Sequence, residues 1–155
     1  MKMMRHIAVT GIVVTLVMSL ASCTVQTCYD DIDPLMNTTL LASGTGQEVK
    51  ADTIVVTGVS PTDTIEFVNS KNVASFSVPL NPGDDVSTFY ITISGTADTA
   101  VIYYARHPHL VAPECGYTIL SEITGLRTTH NIIDTLIIEN KSVNLYGETN
   151  LHLFF

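Results

Sequence analysis

The residues best suited to chemistry cluster late in the chain, where His107-Pro108-His109 is followed by Glu114 and Cys115. On an extended chain, side chains at i and i+2 leave from one face, so His107 and His109 are placed to reach a single ion. Imidazole, carboxylate and thiolate are the donors zinc takes, three or four of them at about 2.0–2.3 Å. Pro108 makes the segment a turn or a strand edge. The other readings are loop histidines exposed beside a disulfide, or a pair that senses protons or a partner. Ser121, His130 and Asp134 supply the residue types of a nucleophile, a base and an orienting acid. No Gly-x-Ser-x-Gly turn, His-Glu-x-x-His pair or Gly-rich phosphate loop accompanies them. The chain is therefore read as a non-enzyme that needs no cofactor. Asp84-Asp85 lies in Asn81-Pro82-Gly83-Asp84-Asp85, a turn signature whose acids cap the turn and face solvent. Tyr90, Tyr103, Tyr104 and Tyr117 offer an aromatic surface for a glycan or protein partner, or else pack on strands with their hydroxyls outward; the second reading is preferred.

What positions these residues begins with the N-terminus. Lys2 and Arg5 precede the uncharged, mostly apolar run 7–20, which is followed by Leu20-Ala21-Ser22-Cys23. Fourteen residues are too few to span a bilayer core, which takes about 20. A basic start, a short apolar run and small residues make a signal peptide, and Leu-Ala-Ser-Cys has the form of a bacterial lipobox. Residues 1–22 are read as a leader, 23–33 as a lipidated N-terminus and short linker, and 34–155 as one domain. Cys23 is expected to carry palmitate-type acyl chains after cleavage, and two or three such chains anchor firmly at about 0.8 kcal/mol per methylene. Thr24 stands where inner-membrane retention favours Asp, which points to the outer membrane.

Removing the leader from 155 residues leaves five Lys and Arg against 15 Asp and Glu, a net charge of −10. That balance argues against nucleic acid, whose phosphates need clustered Lys and Arg. With Cys23 lipidated, Cys28 and Cys115 are an even pair in an oxidising compartment. They are expected to bridge; the alternatives are two reduced, buried thiols or a thiol turned to a metal. A bridge leaves five peptide steps between lipid and domain, at most about 17 Å, and so a domain close to its membrane.

Val, Ile and Thr dominate the mature chain, and β-branched side chains favour the pleated surface of a sheet. Short apolar runs at about 35–41, 53–59, 64–68, 73–80, 87–94, 99–105, 117–126, 132–140 and 151–155 are separated by Gly, Pro, Asn and Asp. Eight or nine short strands are predicted, with Phe89, Ile91 and Ile93 on one face and Tyr90, Thr92 and Ser94 on the other. Gly95-Thr96-Ala97-Asp98 is read as the turn of the clearest hairpin. The pattern predicts an all-β, antiparallel, immunoglobulin-like β-sandwich. The ending Leu151-His152-Leu153-Phe154-Phe155 also suits a barrel strand, but such short runs without Trp fall short of a membrane barrel's strands and aromatic girdles.

The run Tyr103-Tyr104-Ala105-Arg106-His107-Pro108-His109-Leu110-Val111-Ala112-Pro113-Glu114-Cys115-Gly116-Tyr117 is followed by Ile123-Thr124-Gly125-Leu126, then by Thr128-Thr129-His130-Asn131-Ile132-Ile133-Asp134 and the Phe-Phe ending. Together these segments resemble an uncharacterised family of small lipoproteins from Bacteroidota. The family's pattern is a lipobox, an early cysteine, a β-rich domain, a central Pro-His then Cys, and a late Ile-Asp strand. Where that family places Cys-Pro after an acidic pair, this chain has Asp33-Pro34, with its cysteine at Cys28. The resemblance implies bacterial origin, an envelope location and a β-rich fold, and it lends no activity. The expected function is a membrane-proximal binding or assembly accessory anchored by lipid, with an envelope protein as partner. A small-ligand or glycan-binding sandwich is the alternative, and a metal site at His107 and His109 comes third.

Overall fold

A computed structural model describes residues 33–113 and 115–155. The leader, the lipobox, Cys23, Cys28 and Glu114 lie outside the described residues. Among the described residues there is no helix and there are ten strands: β1 Leu35–Leu41, β2 Ala51–Val59, β3 Thr64–Val73, β4 Ser75–Pro79, β5 Val86–Ile93, β6 Thr96–Ala112, β7 Gly116–Thr128, β8 Thr135–Ile138, β9 Ser142–Val143 and β10 Thr149–Phe154.

They form two sheets, one ordered β4-β1-β10-β8 and the other β3-β2-β5-β6-β7-β9. Of these pairings only β1 with β10 is parallel. The predicted sandwich is the observed fold, and the separate edges of its sheets mean that no closed barrel forms.

Alternation explains each layer. On β5, Ser87, Phe89, Ile91 and Ile93 are buried while Tyr90 is exposed. Opposite them the four-stranded sheet contributes Met36, Leu40, Phe76, Val78, Leu151 and Leu153. Burying side chains of this size contributes about 1.5–3 kcal/mol each, so this two-sided layer carries much of the stability. Leu151 and Leu153 are buried in it and Phe155 packs against its edge, as the alternation of the last residues predicts. Thr38 sits within the same layer, 1% exposed, and its hydroxyl finds no hydrogen-bond partner among the described residues.

Two boundaries differ from the expectation. The β5–β6 turn is Ser94-Gly95, with φ of 49° and 88°, between the paired Ile93 and Thr96. Positive φ at both positions matches the twist of the flanking strands, so Thr96, Ala97 and Asp98 already belong to β6.

The larger difference is length. β6 has 17 residues and β7 has 13, where short strands ending near 105 and starting near 117 are predicted. At about 3.3 Å per residue β6 runs for roughly 50 Å. The strands of the opposing sheet have four to seven residues, so β6 and β7 outrun the layer that covers them.

Candidate functional site

The segment with His107 and His109 is therefore strand rather than loop. It is the outer half of a two-stranded ribbon in which His107 pairs with Leu120, Pro108 with Ile119, His109 with Thr118 and Leu110 with Tyr117. β5 stops pairing at Tyr103. Beyond it β6 has a neighbour on one side only, which is where a proline that cannot donate to a ladder is tolerated.

Both histidines are exposed on this ribbon. The His107 Nε2 stands 3.9 Å from the Glu122 carboxylate, with both side chains more than half exposed. Among the described residues no three His, Cys, Asp or Glu side chains gather closely enough to hold a metal ion. Glu114 and Cys28, the other donors nominated from sequence, lie outside the described residues. Cys115 is half-buried in the turn that joins the two strands, where its N–H donates to the Ala112 carbonyl at 3.1 Å. Gly116 follows with a φ of 78°, the left-handed conformation that glycine adopts without strain.

Along the ribbon the inward alternation of the core persists. Asp98, Ala100, Ile102 and Tyr104 on β6, with Ile123 and Ser121 on β7, are buried. The next positions on that face are Arg106, Pro108 and Leu110, with Ile119 and Tyr117 across the ladder. Leu110 is 46% and Tyr117 71% exposed. These are core-facing positions without a facing sheet.

Two groups on the same face hold the ribbon to the body. The buried Tyr104 hydroxyl donates to the Asn81 carbonyl at 2.9 Å and lies 2.8 Å from the Ser87 hydroxyl. Burial pushes its pKa above the ordinary tyrosine value. Arg106 donates to the Asp85 carboxylate at 2.7 Å and to the Pro82 carbonyl at 2.8 Å. Asp84 accepts the Asp85 N–H at 2.7 Å. Both acids are exposed and Asp84 caps the turn, as expected of them, while Asp85 also docks the turn on Arg106.

The four tyrosines do not converge. Tyr104 is buried, Tyr90 stands opposite Thr99, Tyr103 opposite Val86, and Tyr117 at the ribbon end. Tyr90 and Tyr103 are thus about four residues apart along their strands, roughly 13 Å, and Arg127 lies over the Tyr103 ring at 5.8 Å.

A concavity does exist elsewhere, where the sheets part beside the β4–β5 turn. It is a cleft of about 290 Å³ lined by Phe67, Phe89, Ile65, Leu80, Pro82 and Gly58 among others. Phe67 meets Phe89 edge to face, centroids 6.3 Å apart. A Cβ at Gly58 would stand 2.4 Å from the Phe67 ring, so glycine is what lets Phe67 fold inward.

At the far end of β6 is a group the sequence reading missed. Asp98 is 2% exposed, and its carboxylate accepts the N–H groups of Asn131, Ile132 and Ile133 at 2.8–3.0 Å together with the Thr129 hydroxyl. Burial alone would raise its pKa, but these donors outweigh it and lower the pKa from 3.8 to about 2. The signal was its parity, since Asp98 shares the inward face of Ala100 and Ile102. Its saturated carboxylate pins the β7–β8 connection.

Ser121, His130 and Asp134 are not brought together. Ser121 is buried midway along β7, whereas His130 lies past its end with Nδ1 3.0 Å from the Ile133 carbonyl, and Asp134 is exposed just before β8.

Among known proteins, a family model described as a family of unknown function (DUF6452) matches residues 53–155. No curated protein and no solved structure matches the chain.

Proposed function

This chain belongs to the family of unknown function whose pattern spans residues 53–155, and from that premise we propose a lipid-anchored accessory of the cell envelope, held near its membrane, that binds or assembles with an envelope protein and catalyses nothing. The observation that carries this reading is Leu20-Ala21-Ser22-Cys23 at the end of a basic, then apolar, 22-residue leader. Outer-membrane placement rests on Thr24. The resemblance to Bacteroidota lipoproteins supports the same compartment.

A Cys28–Cys115 bridge belongs to the proposal, supported by the even pair of cysteines that remains once Cys23 is lipidated. In the chain-entropy account, closing so long a loop contributes about 4–5 kcal/mol. Thiol labelling of unreduced protein tests it, and two labelled cysteines refute it. The anchor is tested by the intact mass of protein extracted from membranes. The expected mass is that of a chain starting at Cys23 with a diacylglyceryl group; an unmodified N-terminus refutes the anchor. Crosslinking in intact cells is expected to recover an envelope partner, and recovery of none counts against the accessory role.

The cleft favours a second reading, a small-ligand or glycan-binding sandwich. Its roughly 290 Å³ lies at the small end of ligand pockets, and its phenylalanines and prolines suit an apolar ligand better than a sugar. Chemical shifts confined to Phe67, Phe89 and Leu80 on titration with short-chain fatty acids or disaccharides are the expected signature. Unmoved resonances at millimolar ligand refute it.

A further inference from the structure

We infer that the uncovered face of the β6–β7 ribbon, centred on Leu110 and Tyr117, rests in the headgroup region of the membrane that holds the lipid anchor. The inference deepens the anchor reading above and rests on it. Leu110 and Tyr117 are a cross-strand pair, 46% and 71% exposed, and with Pro108 and Ile119 they continue the core-facing side of the strands past the end of the opposing sheet. An apolar group beside a tyrosine suits the boundary between lipid and water, where the ring meets acyl chains and the hydroxyl stays wet.

Three further observations select a lipid surface as the occupant. The first is where the chain enters. Asp33 and Pro34 line a cleft of about 330 Å³ together with Tyr117, Thr118 and Ile119. Ten peptide steps link Cys23 to Asp33, a reach of at most about 35 Å, so the lipidated cysteine can lie no farther than that from the chain's entry beside Tyr117. The second is charge. A mature chain of −10 is repelled by anionic headgroups, yet residues 106–121 contain one carboxylate, Glu114, against Arg106, His107 and His109. Arg106 is already paired with Asp85 and His107 faces Glu122, so the ribbon's outer half is near neutral and approaches lipid with little repulsion. The third is shape. Past the edge formed by Pro79, Leu80 and Pro82, which shares its cleft, the end of the two-stranded ribbon has no second layer to bury its apolar side against, whereas a bilayer surface supplies one for every tethered molecule.

The chain has no tryptophan, so one introduced indole reports one place. Tyr117→Trp and, as control, Tyr90→Trp are made in the full chain, isolated as lipidated protein and reconstituted into phosphatidylethanolamine and phosphatidylglycerol vesicles, with or without brominated acyl chains. Tyr90 is exposed and pairs with Thr99, eleven residues along β6 from Leu110, roughly 36 Å. The expected result is blue-shifted emission at 117 that brominated lipid quenches, with red, unquenched emission at 90. Unquenched emission at 117 overturns the inference. If that emission is red the face is open to water; if it is blue before vesicles are added, residues 24–32 of this chain or a second copy cover the face. Equal quenching at both positions also overturns it, since the domain would then lie on the membrane without orientation. An intact mass lacking lipid on Cys23 removes the anchor reading and this inference with it, whereas lipidated protein with an unquenched indole at 117 removes this inference alone.

Discussion

The two halves of β6 have the same strand geometry and the same alternation, but different neighbours. From Asp98 to Tyr104 the inward side chains meet β5 on one side, β7 on the other and the second sheet above. From 106 to 112 they pair with β7 alone, with Arg106 reaching back to Asp85 and Pro82. A residue's contribution therefore depends on which half it occupies. Inward positions of the covered half are filled by Ala100, Ile102 and Tyr104, and its single carboxylate is fully hydrogen-bonded. The equivalent positions of the overhang are Arg106, which docks on the β4–β5 turn, and the exposed Pro108 and Leu110, where substitutions are expected to leave the core undisturbed. In the reading proposed here, the covered half serves the fold and the overhang serves the membrane.

The comparison is broken most severely at Asp98. Replacing it with Ala strands three N–H groups and a hydroxyl near the core, and the loss is expected at about 3 kcal/mol in urea unfolding. A loss below about 1 kcal/mol would show that the β7–β8 connection does not depend on this carboxylate. The pH dependence has a definite sign. Because the folded pKa is lowered from 3.8 to about 2, the stabilisation is fully present above the unfolded value and disappears as pH falls through the folded one. Its size is at most about 2–3 kcal/mol. The wild type should lose stability as pH falls from about 5 to about 2, and Asp98→Asn should flatten that slope, an outcome measured by thermal melts across the range.

Next in size, and opposite in direction, is Thr38. Its buried hydroxyl lacks a partner among the described residues, so the near-isosteric Thr38→Val should raise stability by about 1 kcal/mol. A destabilised variant would reveal a hydrogen bond to the Thr38 hydroxyl. The smallest effect belongs to the overhang. Leu110→Ser and Tyr117→Ser should each change unfolding by less than about 0.5 kcal/mol, as exposed positions do. A larger loss would mean that this face is buried within the protein itself.

How much of this was legible in the sequence follows the same division. Alternation revealed β5, the terminal strand and the sandwich, because those residues sit between two layers and their pattern is enforced by burial. The length of β6 was hidden by Pro108, read as a turn or a strand edge because it cannot donate; it is a strand edge, and the missing β5 neighbour makes its lost N–H harmless. Asp98 was read as a turn residue. Its partners lie 31 to 35 positions away, and no local spacing signals them. The two residues of β9 carry no period at all. Of the nominated site residues, His107 and His109 lie at i and i+2 of one strand rather than in a loop, while the tyrosines are dispersed because they lie on both faces of different strands.

Hydrogen exchange on the lipidated protein tests the division most directly, comparing detergent-free vesicles with detergent micelles. Peptides covering 106–112 and 116–121 should exchange more slowly on vesicles, while those covering 98–104 should exchange alike in both. Equal exchange of the overhang in vesicles and micelles, with the lipid on Cys23 verified by mass, would contradict the account.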